Sequence, residues 1–135
     1  MKKIVIVLII ILATVLRFYK LDSLPALNAD EAAIVYNAHS LLETGKDEHS
    51  NTWPIHFQSF NDYKPGLYFY LVMPFVKVFG LNEWAVRIPG ATLGVGTVFL
   101  VWLLVKELFP DKKWLPEISA IFLAISPWHL HFSRG

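Results

Sequence analysis

Four apolar stretches organise the chain, and their lengths and flanks differ. Residues 4–16 (IVIVLIIILATVL) are thirteen uncharged positions behind Lys2 and Lys3, and Phe18, Tyr19 and Leu21 carry the run past Arg17. A spanning helix needs about 20 residues, whereas a secretory apolar segment needs roughly 7 to 15 and a small-residue cleavage site. No A-x-A pattern follows, so we read an uncleaved first span over about 4–21, with Lys2 and Lys3 holding its N-terminus in the cytoplasm. Residues 65–79 (PGLYFYLVMPFVKVF) would reach about 22 Å as a helix, short of a bilayer core of roughly 30 Å, and Pro74 and Lys77 interrupt them. They predict a proline-started helix at the membrane interface. Residues 85–105 (AVRIPGATLGVGTVFLVWLLV) are long enough to span, with Arg87 and Pro89 at the entry and Gly90, Gly94 and Gly96 permitting close helix packing. Residues 115–132 (LPEISAIFLAISPWHLHF) predict a further span that starts with Pro116 and carries Pro127, His129 and His131 near its end.

Charge orients these segments. Lys106, Lys112 and Lys113 crowd the short connection after residue 105, which the positive-inside tendency places in the cytoplasm. Residues 85–105 then run inward and 115–132 return outward, and about 22–84 form one large extracytoplasmic loop. The fold class expected is an all-α membrane protein, with about three transmembrane helices and juxtamembrane helices in the first loop. In the rival topology residues 65–79 also span, which would put Arg134 in the cytoplasm. No repeat, low-complexity tract or Gly/Ser linker divides the chain, so residues 1–135 are expected to be a single membrane domain, the N-terminal fragment of a longer protein.

Composition agrees with membrane and removes several function classes. The chain is 55% hydrophobic and 15% aromatic, with 17% charged residues against roughly 25% in soluble domains. Twelve basic against eleven acidic residues leave a net charge of +1, which lacks the basic footprint of a nucleic-acid binder. The absence of cysteine excludes disulfide scaffolds, thiolate zinc sites and cysteine nucleophiles.

Candidate chemistry lies in the loop and at the span entries. Asn28 can cap a helix in which Glu31 is the third residue, Ile34, Val35, Ala38, Leu41 and Leu42 form the apolar stripe, and Gly45 ends the run. Asp30 and Glu31 in its first turn either answer the helix dipole or take a proton from an acceptor hydroxyl at the membrane surface. Asp47, Glu48 and His49 could offer oxygen and imidazole to a divalent metal or could be a solvated loop; His39 and His56 read as surface histidines. Lys64, just before Pro65, either snorkels to water or holds a lipid-linked phosphate. Arg87 inside a membrane segment must face protein, water or an anion, and Arg134 follows the last apolar stretch.

The order of these features resembles the N-terminal part of GT-C glycosyltransferases. Asp30-Glu31 after the first span, Gly45-Lys46-Asp47-Glu48, Asp62-Tyr63-Lys64-Pro65, Gly80 followed by Arg87-Ile88-Pro89, and Ser126-Pro127-Trp128-His129 through Ser133-Arg134 carry the likeness. More narrowly the chain is similar to the family 39 and Rgt-type branch, related to protein O-mannosyltransferases and lipid A aminoarabinose transferases. The resemblance implies a multi-pass enzyme of the plasma (inner) membrane. It would move a sugar from a polyprenyl-phosphate donor to a lipid, glycan or protein acceptor on the extracytoplasmic face. It implies Asp30 as catalytic base with Glu31 beside it and Lys64 near the donor phosphate; Arg87 and Arg134, from their places at the membrane segments, are expected to bind that phosphate too, and a divalent metal stays open. Gly66 stands where many relatives have a second proline, and Ala33 where the aminoarabinose branch has an arginine, so that branch's substrate does not carry over. The alternative function is a small, non-catalytic, membrane-anchored binding or assembly protein.

Overall fold

The computed structural model describes residues 2–23, 26–59 and 62–134. Along them run helices α1 (Lys2–Phe18) and α2 (Ala29–Thr44), strands β1 (His56–Ser59) and β2 (Asp62–Pro65), and helices α3 (Leu67–Phe79), α4 (Glu83–Leu108), α5 (Leu115–Ile125) and α6 (Pro127–Arg134). The side chains of Lys2 and Lys3, which were expected to orient the first span, lie outside the described part. Contacts divide the chain into two compact units, Met1–Tyr19 with Gly90–Arg134, and Lys20–Pro89.

The first unit is built on small residues. Ile6, Ile9 and Ala13 of α1 pack with Val98 of α4 and Ala120 and Ala124 of α5, with Trp102 and Leu123 covering them. At Gly94 a Cβ would lie 2.5 Å from the Ser133 Cβ and 2.9 Å from the Arg17 Nε, so the absence of a side chain is what lets these groups approach. Leu8, Ile11, Leu100, Leu104 and Phe122 point outward and exposed, as side chains facing lipid do. At 26 residues α4 reaches about 39 Å and is, among the described residues, the one helix long and apolar enough to cross a membrane.

Three expectations are corrected here. The continuous helix over 115–132 is two helices, because Pro127 has no N–H to give and pushes Ser126 into an extended conformation (φ −59°, ψ 119°). The first helix stops at Phe18 instead of running to 21, since Lys20 takes a left-handed backbone (φ 48°). The all-α reading is incomplete: β1 and β2 form an antiparallel hairpin that pairs His56 with Pro65 and Phe57 with Lys64, so Pro65 ends a strand and the helix begins at Leu67.

In the second unit α2 lies against α3. Val35 and Ala38 meet Val72 and Val76 with Ala85 and Val86, and beside them Leu41, Phe57 and Phe69 form a smaller core. The start and end of α2 follow the local signals in the sequence. The Asn28 side chain accepts from the Glu31 N–H at 2.8 Å, and Gly45, left-handed at φ 70°, donates its N–H to the Leu41 carbonyl.

Candidate active site

The site is assembled around the first turn of α2. The Asn28 N–H donates to Glu31 Oε2 at 3.0 Å, completing a capping box. The same carboxylate then receives Arg87 bidentately, with Nε on Oε1 at 2.6 Å and Nη2 on Oε2 at 2.9 Å. Arg87 Nη1 donates to the Leu21 carbonyl at 2.8 Å. Both side chains are buried, Glu31 at 4% exposure and Arg87 at 1%. One ion pair therefore ties the start of α2, the start of α4 and the chain at Leu21, and each charge is matched by a charge and further hydrogen bonds.

Asp30, one position earlier, points the other way. Its side chain is 67% exposed, and Oδ1 accepts from the Nζ of Lys64, whose side chain is 19% exposed. Lys64 comes from β2, where its register partner Phe57 is buried and stacks on Phe69 with centroids 4.0 Å apart. The hairpin is thus bolted to α3, and its upper strand presents the ammonium to the head of α2.

Gly66 sits where neither a proline nor a side chain fits. Its N–H donates to the Ile55 carbonyl at 2.9 Å, which proline could not do, and a Cβ there would lie 2.5 Å from the same oxygen and 3.0 Å from the Phe57 ring. Gly66→Ala is expected to loosen the hairpin at a cost of about 1–3 kcal/mol, because the obstructing atom is backbone. Faster proteolysis between residues 50 and 65 and a lower melting temperature would report it; an unchanged melting temperature would show that the contact relaxes freely.

Asp47, Glu48 and His49 have a structural occupation. Buried Asp47 accepts from the N–H groups of His49 (2.9 Å) and Asn51 (2.7 Å) and from Asn51 Nδ2 (3.0 Å). Glu48 exchanges two hydrogen bonds with the buried side chain of Asn37. No group of three possible metal ligands occurs among the described residues. Burial raises the Tyr70 hydroxyl above its ordinary range and Asp47 adds to the shift; that hydroxyl donates to the Pro54 carbonyl at 2.7 Å. Along the other face of α2, Ala29, Ala32, Ala33, Tyr36, Glu48 and His49 line an open groove of about 780 Å³.

The structure thus brings Asp30 to Lys64 and Glu31 to Arg87 within the second unit. Arg134 belongs to the first unit, where it donates to the carbonyls of Leu16 (2.6 Å) and Tyr19 (2.8 Å). Two polar residues were not singled out by sequence. Asn37, in the middle of a helix, fixes Glu48. Arg17 is fully buried in the first unit and bonds the Ala13 and Ala124 carbonyls and His129 Nδ1, the last at 2.6 Å. An arginine inside an apolar run was the available signal for the second.

Comparison with known proteins supplies the family. The chain is 35% identical over 71 residues to the Bacillus subtilis (strain 168) protein named "Putative mannosyltransferase YycA", an overlap of 53% of this chain and 10% of that protein. The chain therefore spans about a tenth of the length of the curated relative it matches. No solved structure gives a significant match. The family model for dolichyl-phosphate-mannose-protein mannosyltransferases matches residues 63–134, more than half of the sequence and inclusive of Lys64, Arg87 and Arg134, and the chain belongs to that family.

Proposed function

We propose that this chain supplies part of the active site of a membrane glycosyltransferase. In this reading a sugar moves from a polyprenyl-phosphate-linked donor to a hydroxyl or amine of an acceptor on the extracytoplasmic face, with Asp30 as the base. The observation that carries the reading is the contrast between two adjacent carboxylates. Glu31 is buried and engaged by Arg87 and the helix cap, whereas Asp30 is exposed and, among the described residues, holds the ammonium of Lys64 alone. Adjacent acids with opposite environments divide into a positioning group and a reacting group.

The chemistry follows from that division. Asp30 accepts the acceptor's proton as its oxygen or nitrogen attacks the anomeric carbon. The bond from that carbon to the phosphate oxygen breaks on the opposite face, and the lipid phosphate leaves with the electron pair. A phosphate leaving group needs charge stabilisation more than a proton, so no second catalytic acid is required. Lys64 has three N–H groups, and Asp30 Oδ1 occupies one. When Asp30 is neutralised by the acceptor's proton, the ammonium is released to the phosphate as its charge develops. Glu31 and Arg87 act as positioning residues, and Arg134 ties α6 to the end of α1.

Lys64→Ala in the full chain, reconstituted in nanodiscs, tests the assignment. Losing one charge-assisted contact should raise the KM for the polyprenyl-phosphate donor about 10- to 100-fold while the acceptor KM stays within about threefold. An unchanged donor KM would reduce Lys64 to a counter-ion for Asp30.

A further inference from the structure

The connection between α4 and α5 encloses a cavity of about 300 Å³ lined by Trp102, Lys106, Phe109, Lys112, Lys113 and Glu117. Two residues of this lining each hold a buried polar atom without a hydrogen-bond partner among the described residues, the Trp102 Nε1–H donor and the Glu117 Oε2 acceptor. Glu117 itself is only 6% exposed. Unmatched buried polar groups are costly, and these two are complementary in kind: one lacks an acceptor and the other lacks a donor. Three lysines share the lining with them. Lys106 Nζ lies 5.2 Å from the centre of the Trp102 ring, and Lys106, Lys112 and Lys113 form no ion pair among the described residues. Three lysines against one carboxylate leave the lining with an excess of two positive charges.

A second cavity identifies what kind of anion fits. Glu117 also lines an apolar groove of about 380 Å³ that runs along α1 and α5 between Leu8, Leu12, Trp114, Ile118 and Ile121. A basic pocket and a hydrocarbon-lined groove thus share Glu117 as a lining residue. Free phosphate or a soluble anion would have no use for the groove, whereas a phospholipid needs both parts.

We infer that this end of the first unit seats an anionic phospholipid whose headgroup carries a hydroxyl beyond its phosphodiester, as phosphatidylglycerol does. The phosphodiester oxygens accept from the Trp102 Nε1–H and the lysines, the headgroup hydroxyl donates to Glu117 Oε2, and one acyl chain lies in the groove of α1 and α5. A zwitterionic lipid cancels its own phosphate charge against the lysines, and a choline headgroup offers Glu117 no N–H or O–H at all.

The test uses the full chain, purified and stripped of lipid, titrated with dioctanoyl phosphatidylglycerol, dioctanoyl phosphatidylcholine or inorganic phosphate. Native mass spectrometry counts adducts and thermal shift gives affinity. Phosphatidylglycerol should bind at one saturable site and phosphatidylcholine roughly 30-fold more weakly. The double variant Lys112→Gln/Lys113→Gln should lose roughly 30-fold in phosphatidylglycerol affinity, about 2 kcal/mol at about 1 kcal/mol per lysine. Both lysines are exposed, so this variant keeps its fold. Trp102→Phe retains the ring without the donor and should weaken binding severalfold. Equal binding of phosphatidylcholine, unchanged affinity in the double lysine variant, or displacement of the lipid by millimolar phosphate would each overturn the proposal.

Discussion

Asp30→Asn in the full-length transferase should lower turnover by roughly 10²- to 10⁴-fold while donor affinity changes by less than about threefold. The substitution is nearly isosteric. Its amide oxygen can still accept from Lys64, so the ammonium keeps its place at the head of α2. On the proposed assignment, what disappears is the ability to hold the acceptor's proton. Stability should change little, because the Asp30 side chain is 67% exposed and exposed ion pairs contribute little in water. The loss of a first-turn carboxylate from α2 is worth only about 0.3–1 kcal/mol of helix-dipole interaction. Transfer rate, donor KM and melting temperature measured in the same nanodiscs separate these terms. Near-normal transfer by Asp30→Asn would remove the base from this position. A melting temperature that falls in step with activity would return Asp30 to the role of an ordinary helix-cap carboxylate.

What could be read in the sequence was what is determined locally. The limits of α2 depend on Asn28, Glu31 and Gly45, all within one turn of the ends they fix. The long helix α4 is set by continuous apolarity, and its observed limits lie within three residues of those expected. The break before α6 was written in Pro127, but a reading that weighs mean apolarity over 18 residues passes through a single proline. The hairpin was illegible for a different reason. Its strands, HFQS and DYKP, are short and mostly polar, without an alternating pattern, and they are held by the stacking of Phe57 on Phe69. Partner choice was beyond sequence too. Asp30 and Lys64 are 34 positions apart, Glu31 and Arg87 are 56 apart, and Arg17 and His129 are 112 apart. Sequence could name most of these charged residues, but only tertiary packing decides that Arg87 meets Glu31 and leaves Asp30 to Lys64.

The buried pair should show the opposite behaviour to Asp30. Glu31→Ala leaves the buried Arg87 guanidinium with the Leu21 carbonyl as its one remaining hydrogen-bond partner among the described residues, and removing one member of a buried ion pair costs about 3–5 kcal/mol. Losing the capping-box bond to the Asn28 N–H adds to this. Arg87→Ala strands the carboxylate by the same logic, although the Asn28 N–H still donates to it, so the loss should be smaller. The double variant Glu31→Ala/Arg87→Ala leaves no charge to desolvate, and its loss should be smaller than the sum of the two single losses. Melting temperatures of the four proteins in one detergent provide the cycle. Transfer should fall in Glu31→Ala because the turn carrying Asp30 is no longer pinned, and Glu31→Gln, which keeps one acceptor oxygen but not the charge, should recover only part of stability and rate. If Glu31→Ala instead melts normally while its pH–rate profile moves, Glu31 touches the acceptor itself. The division of labour between the two carboxylates would then have to be reversed.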